Sequence, residues 1–398
     1  MSAHPVDDAW RYPLFDALYG RRSRRFARGF AIEEGPFRHV SGTTPLPLSE
    51  IEEALLVAAG AGVSGTPLWD MGRTVSLRQH DGRTFPSTSR GRRTALFVTN
   101  DAGVHVIDPA ATTPTTRETA VDVYRAHRRL LRAGRLPIPR EMPPFFGHNF
   151  WDSNMPGATV FMPVVDLSLA LIGLVSGLVD GEQGRYVRGH GGGMNIVDDR
   201  HGGRPAGTEP WLATGLIDPV KVLPLSVLER QAAYFMVSEP AAICQNIFLA
   251  TEALGLGGWM HCGFLSLRML EALGFRLVER GAPPGWPNPV GLDGVFEGYC
   301  PPYFSTMDAA VDAALTRVSR VPPVVEISDA GLACTKAVCT YIYETFGRFP
   351  ATVDTMHLMW LMQAHHLDLE FYDRFFGPGA YGATHAAHTA AWHGAAES

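Results

Sequence analysis

The residues best suited to chemistry near the N-terminus form the run RRSRRFAR. Five arginines fall within residues 21–28, with Ser23 among them. A guanidinium presents a planar fork of donors that matches phosphate oxygens, and a hydroxyl adds another donor. Arg21, Arg22, Ser23 and Arg25 are therefore candidate phosphate ligands; the alternative is a solvated basic run. Towards the C-terminus the histidines cluster: His357, His365, His366, His385, His388 and His393. On a helix, His366, Glu370 and Asp373 share one stripe, and His385 and His388 share a face. Imidazole with carboxylate could hold iron, manganese or zinc; the alternative is capping and core hydrogen bonding. HExxH is absent and no cysteine sits at ligand spacing, so no metal site is assigned. No nucleophile–base pair stands out, and no catalytic side chain is named.

Elements must position these groups, and the strongest is the stretch 239–264. Ile243, Ile247, Phe248, Ala250 and Leu254 recur at helical spacing. Ser238 is expected to cap this helix, Pro240 to occupy its first turn, and Gly255 to end it in the left-handed conformation. Gly257 and Gly258 allow the backbone close to a flat ligand, which Trp259 could wall; the plainer reading is a glycine cap and a tight turn. Residues 8–19 read as an amphipathic helix. Residues 48–59 read as a helix opened by a Ser49–Glu52 capping box, running into the small-residue loop 60–69. Strands are expected at 73–78 and 95–99, with 104–108 returning after a turn at 100–103. Residues 116–132 read as a charged helix. Residues 159–179 read as a strand and a buried helix with Asp166 as its N-cap, flanked by long loops at 134–158 and 181–222 that form a candidate lid. A helix at 265–273, a strand at 291–300 and helices at 328–346 and 351–376 complete the chain, the last two split at Phe349–Pro350.

Composition sets the outer bounds. The 398 residues are 46% apolar and 19% charged, enough for a sizeable core, and the net charge of −6 provides no basic field for nucleic acid. The apolar run 161–179 is broken by Pro163 and Asp166 and reads as core, not as a membrane span. Five cysteines without a CxxC pair and a start lacking an apolar signal core point to a reducing cytosol.

Taken in order, these segments resemble the nitroreductase-like FMN oxidoreductases. The resemblance rests on Arg21, Arg22, Ser23 and Arg25, on Ser64, Pro67 and Trp69 in the small loop, on Gln245 and Asn246 leading into ATEALGLGGW, and on Gly298 and Tyr299. It spans roughly residues 14–110 and 230–300. It implies that the four N-terminal residues hold the FMN phosphate and that Ser64, Gly257, Gly258 and Trp259 lie near the flavin. It further implies an α+β fold with a mixed or antiparallel central sheet flanked by helices, and a homodimer taking hydride from NAD(P)H to a small organic substrate. Residues 1–320 would form that domain, with 134–222 as its enlarged lid and 321–398 as a helical C-terminal extension. Two alternatives stay open. One is a metal-dependent enzyme built on the C-terminal histidines and acids. The other is a flavin-free member that binds a ligand or partner, favoured by the absence of the family's loop asparagine and glutamine and of its late basic pair.

Overall fold

Six strands make the central sheet, in the order Gly257–His261, Leu361–His365, Thr159–Val165, Thr94–Thr99, Gly103–Ile107 and Arg129–Ala133. Every neighbouring pair is antiparallel. This is a computed structural model; it describes residues 5–65, 68–70, 77–79, 82–87, 93–109, 113–180, 192–261, 263–319, 327–356 and 358–393. Side chains alternate between the two faces of a strand, and here both faces are covered. Leu96, Val98, Phe161, Met362 and Ala364 face a core shared with the central helix and the helix Glu50–Ala61. Ala95, Phe97, Val160, Met162 and Leu361 face the opposite core, closed by Leu136, Phe145 and the helix Ser266–Leu273. Double coverage explains why Thr159–Val165 is buried at every position.

The central helix is longer than its C-terminal pattern suggests. It runs from Leu225 to Leu254, 30 residues, or about 45 Å at 1.5 Å per residue. Pro240 therefore lies in its interior, not its first turn, and the Ser238 hydroxyl donates back to the Phe235 carbonyl instead of capping. Gly255 ends the helix with φ 75°, as expected. The N-terminal part packs into a second core with the helices Leu167–Val179, Met307–Ser319 and Asp329–Phe346. Three buried acids on this helix tie distant segments to it. Glu229 accepts from the Ala351 and Thr352 amides at 2.6 and 2.7 Å. Glu239 accepts from the Ser87 and Thr94 hydroxyls, and Glu252 accepts from Arg24.

Several local expectations hold. The capping box of Ser49 and Glu52 is formed, Asp166 caps its helix through the Ser168 and Leu169 amides, and Thr94–Thr99 pairs with Gly103–Ile107. Others change. The first helix is two, Pro5–Trp10 and Leu14–Gly20, with Pro13 as the second N-cap. The charged helix is only Ala120–His127; the residues after it form the edge strand Arg129–Ala133. The strand expected at 291–300 divides into Asn288–Leu292 and Phe296–Glu297. The loop 181–222 contains Met194–Asp198, Arg204–Pro205 and Asp218–Pro224 in a three-stranded sheet. Of the strand expected at 73–78, residues 73–76 lie outside the described residues, as do Pro67, His190, Cys262 and His357.

The main correction concerns the C-terminal region. It is not a helical extension: Leu361–His365 is an interior strand of the central sheet, between Gly257–His261 and Thr159–Val165. Among the described residues, only Leu369–Phe376 and Gly382–His393 continue as helices after it. Among the described residues, no helix is long and apolar enough to cross a membrane.

Candidate functional site

The basic run begins where the helix Leu14–Gly20 stops, with Arg21 as its C-cap residue. It then joins the sheet edge: Arg24 bridges Gly258, Ala27 bridges Leu367, and the Arg28 amide donates to the His366 carbonyl at 3.0 Å. This path sorts the arginines. Arg24 is buried and pairs with Glu252 at 2.8 Å. Arg25 is taken inward, 3.9 Å over the Trp259 ring, donating to Asn149 and Asp152. Arg21 lies 4.7 Å over Phe248. Arg22 is exposed and donates to the Tyr19 and Arg21 carbonyls, and Ser23 is exposed beside it. Of the four candidate phosphate ligands, Arg22 and Ser23 are exposed, Arg21 is half-buried over Phe248, and Arg25 is paired with Asp152.

The two glycines are in the strand Gly257–His261, and the chain itself makes the close approach they allow. A Cβ on Gly257 would run into the Leu367 side chain; one on Gly258 would lie 2.7 Å from Met362 Cε and 2.8 Å from the Gln363 carbonyl oxygen. Trp259 is fully buried and stacks on His261, with ring centroids 3.5 Å apart. The room read for a flat ligand at Gly257, Gly258 and Trp259 is filled by protein. Ser64 is exposed in the short strand Val63–Gly65.

The loop 134–158 accounts for much of this filling. Phe145 bridges Phe264, and Asn149 donates to the Gly263 carbonyl at 3.2 Å. Asp152 is fully buried against Arg25, and burial pushes its carboxyl up to about 7 while Arg25 opposes the shift. His261 is driven well below the ordinary imidazole range, first by burial and then by the charges of Arg25 and His365. Sequence reading missed Asn149, Asp152 and His261, because nothing local marks a loop acid as the counter-ion of an arginine 127 residues earlier.

The histidines regroup as well. His366 follows a strand, so it does not share a helical stripe with Glu370 and Asp373. Both of those acids are exposed on Leu369–Phe376, and Asp373 accepts from the Gly379 amide. His385 and His388 do share a buried face of Gly382–His393, but they serve different carboxylates. His385 Nε2 lies 3.1 Å from Glu252, and His388 Nε2 lies 2.7 Å from Glu52 Oε1. His393 Nε2 and His366 Nε2 approach the same Glu52 oxygen at 3.2 and 3.7 Å. Burial works to raise the Glu52 carboxyl, but hydrogen bonds from His388 and His393 and the nearby His366 outweigh it and hold the group well below its usual range. Burial pushes His366 down to about 3. Glu52 was visible in the sequence as a capping residue; its histidines were not assignable to it.

No family model matches the chain, and no curated protein matches it. Among solved structures, it is similar to one from Ralstonia eutropha JMP134 provisionally named a nitroreductase. The identity is 17%, over 66% of this chain and 76% of that one, with a TM-score of 0.31. So distant a likeness carries no functional argument; the antiparallel α+β architecture stands on the strand pairings above.

Proposed function

We propose that the chain is an FMN-dependent oxidoreductase of nitroreductase-like type, holding the cofactor's phosphate at Arg21, Arg22 and Ser23. One observation carries this reading. Among the described residues, Arg24 and Arg25 have acidic partners while Arg21 and Arg22 make no ion pair. Two unneutralised guanidinium groups and a hydroxyl at one surface turn suit a dianion. The turn ends a helix whose Leu14, Phe15, Leu18 and Tyr19 are exposed, at 62, 70, 41 and 77%. Positions i, i+1, i+4 and i+5 form one ridge, and an exposed apolar ridge suits a second subunit. The proposal therefore includes a cytoplasmic homodimer, with NAD(P)H as electron donor and a small organic acceptor.

The residues fit the phosphate end of FMN. They do not fit its ring at Gly257 and Gly258, where the Cβ positions are already filled. Bound FMN would supply hydride chemistry; the chain's part is to neutralise the phosphate and hold it at the turn. Flavin titration of the purified protein, followed by its visible spectrum, tests the reading alongside light scattering for the dimer. Uptake of FMN that is lost in Arg21→Ala and Arg22→Ala supports it, and absence of uptake by the wild type removes it.

A second reading is a flavin-free member of the same architecture that binds another anion. It is favoured by Asp152, whose carboxylate already occupies Arg25. Phosphate binding at the turn without FMN binding would select it.

A further inference from the structure

We propose that Glu52, His366, His388 and His393 form a binding site for one divalent transition-metal ion, best met by zinc. Its role would be to clamp the last helix, Gly382–His393, to the first turn of Glu50–Ala61 and the end of the strand Leu361–His365.

Four donors converge from three elements. One ligand atom from each residue lies within 4.8 Å of all the others. A tetrahedron with bonds of about 2.1 Å sets its donors about 3.4 Å apart. The four therefore need only a short inward adjustment, with the Glu52–His388 pair opening from 2.7 Å. The ring centroids of His366 lie 5.2 Å from those of His388 and 4.7 Å from those of His393, so the three imidazoles already surround one point.

His366 supplies an independent observation. It is 3% exposed, and among the described residues neither ring nitrogen has a hydrogen-bond partner. A buried imidazole must carry a proton on at least one nitrogen, so an unanswered ring calls for a partner that the described residues do not provide. Its Nε2 points towards Glu52 at 3.7 Å, too far for a hydrogen bond and suitably placed for a shared ion.

The carboxylate is held for one-oxygen ligation. Glu52 Oε2 accepts from the Ser49 amide at 2.6 Å and the Ser49 hydroxyl at 2.7 Å, while Oε1 alone faces the histidines. The capping box thus doubles as the outer support that fixes a ligand's direction. Three nitrogens and one oxygen, without sulfur, suit zinc, iron(II), cobalt or manganese, and a closed four-ligand set favours tetrahedral zinc. Glu52, His366 and His388 are buried, and only His393 reaches solvent, with 20% of its side chain exposed. Four protein ligands complete a tetrahedral shell, which is the ligand set of a structural ion. Arg28, whose charge reaches His366, opposes a dication, and affinity rests on the four inner ligands.

The test uses tag-free full-length protein dialysed against chelator and then titrated with zinc or cobalt(II), with metal per chain measured after desalting. About one equivalent of zinc is expected, with a tetrahedral visible spectrum for cobalt and a rise in melting temperature. His366→Ala and His388→Ala should bind zinc more than about tenfold weaker, as should the gentler His366→Gln. His385→Ala, whose residue serves Glu252, should keep its zinc. Folded wild type holding less than about a tenth of an equivalent after reconstitution overturns the proposal. So does zinc binding in folded His366→Gln equal to wild type, or zinc lost as fully from His385→Ala as from His366→Ala. The wild-type titration and cobalt spectrum decide the matter even where an alanine variant fails to fold, and none of these readouts involves flavin.

Discussion

Glu52 and His388 meet at 2.7 Å across 336 residues of chain. The contact joins the first turn of an early helix to the last helix, and both side chains are buried. One carboxylate therefore carries two duties, capping its own helix through Oε2 and receiving His388 through Oε1.

The two duties separate in unfolding experiments on chelator-treated protein. Ser49→Ala removes a cap and should cost about 1 kcal/mol. Glu52→Ala removes the cap and also strips buried imidazoles of their acceptor, and should cost about 3 kcal/mol. Urea midpoints at constant slope measure both. Equal losses for the two variants would show that the histidines gain nothing from Glu52.

Asp152 gives a pH signature. Its folded carboxyl titrates near 7, above its ordinary value of 3.8. Between those values the folded state holds the extra proton, so this group's contribution is full below about pH 4 and declines as pH rises towards 7. Asp152→Asn keeps an oxygen for Arg25 and removes the titration. The variant should match wild type at about pH 4 and below and exceed it in melting temperature at pH 8, with the gap opening across that window. A gap independent of pH would show that Asp152 is ionised throughout.

Gly258→Ala tests who occupies the space beside the strand. The added methyl meets Met362 and the Gln363 carbonyl within the apoprotein. Thermal melts without any ligand should show a loss of about 1–3 kcal/mol. A variant as stable as wild type would show that the strand has room for a ligand there after all.

Arg22 and Arg24 should behave oppositely. Arg22 is exposed, so Arg22→Ala should stay within about 0.5 kcal/mol of wild type while weakening FMN by about tenfold or more. Arg24 is buried against Glu252. Arg24→Ala leaves that carboxylate with His385 as its remaining close partner and should cost about 3 kcal/mol. Denaturant titration and flavin titration on both variants separate a ligand-facing arginine from a structural one.

Local signals carried most of the elements that the sequence revealed. Ser49 with Glu52, Asp166 before an apolar run, and Gly255 after one each specify a helix end through contacts within a few residues. The misread elements are those where packing overrides propensity. LMQAH and RLLRA contain no β-branched residue and favour helices in isolation, yet both are strands of the central sheet. Leu361–His365 is buried at all five positions, so neighbours on both faces and both edges decide its conformation. The candidate site was legible as a list of residue types, and its pairings were not. Arg25 with Asp152 and His366 with Glu52 depend on which segments the sheet brings together.

The position of Leu361–His365 inside the sheet sets the order in which the molecule can be completed during synthesis. Gly257–His261 and Thr159–Val165 emerge from the ribosome long before the strand that lies between them. Until that strand arrives, the sheet has a gap one strand wide, with unpaired backbone and apolar faces on either side. The nascent chain must therefore wait in a partly assembled state that is open to wrong partners, as chains dominated by distant pairings do. Emergence of Leu361–His365 is the event that closes the sheet, and cells making this protein should show its nascent chains engaged by chaperones until then.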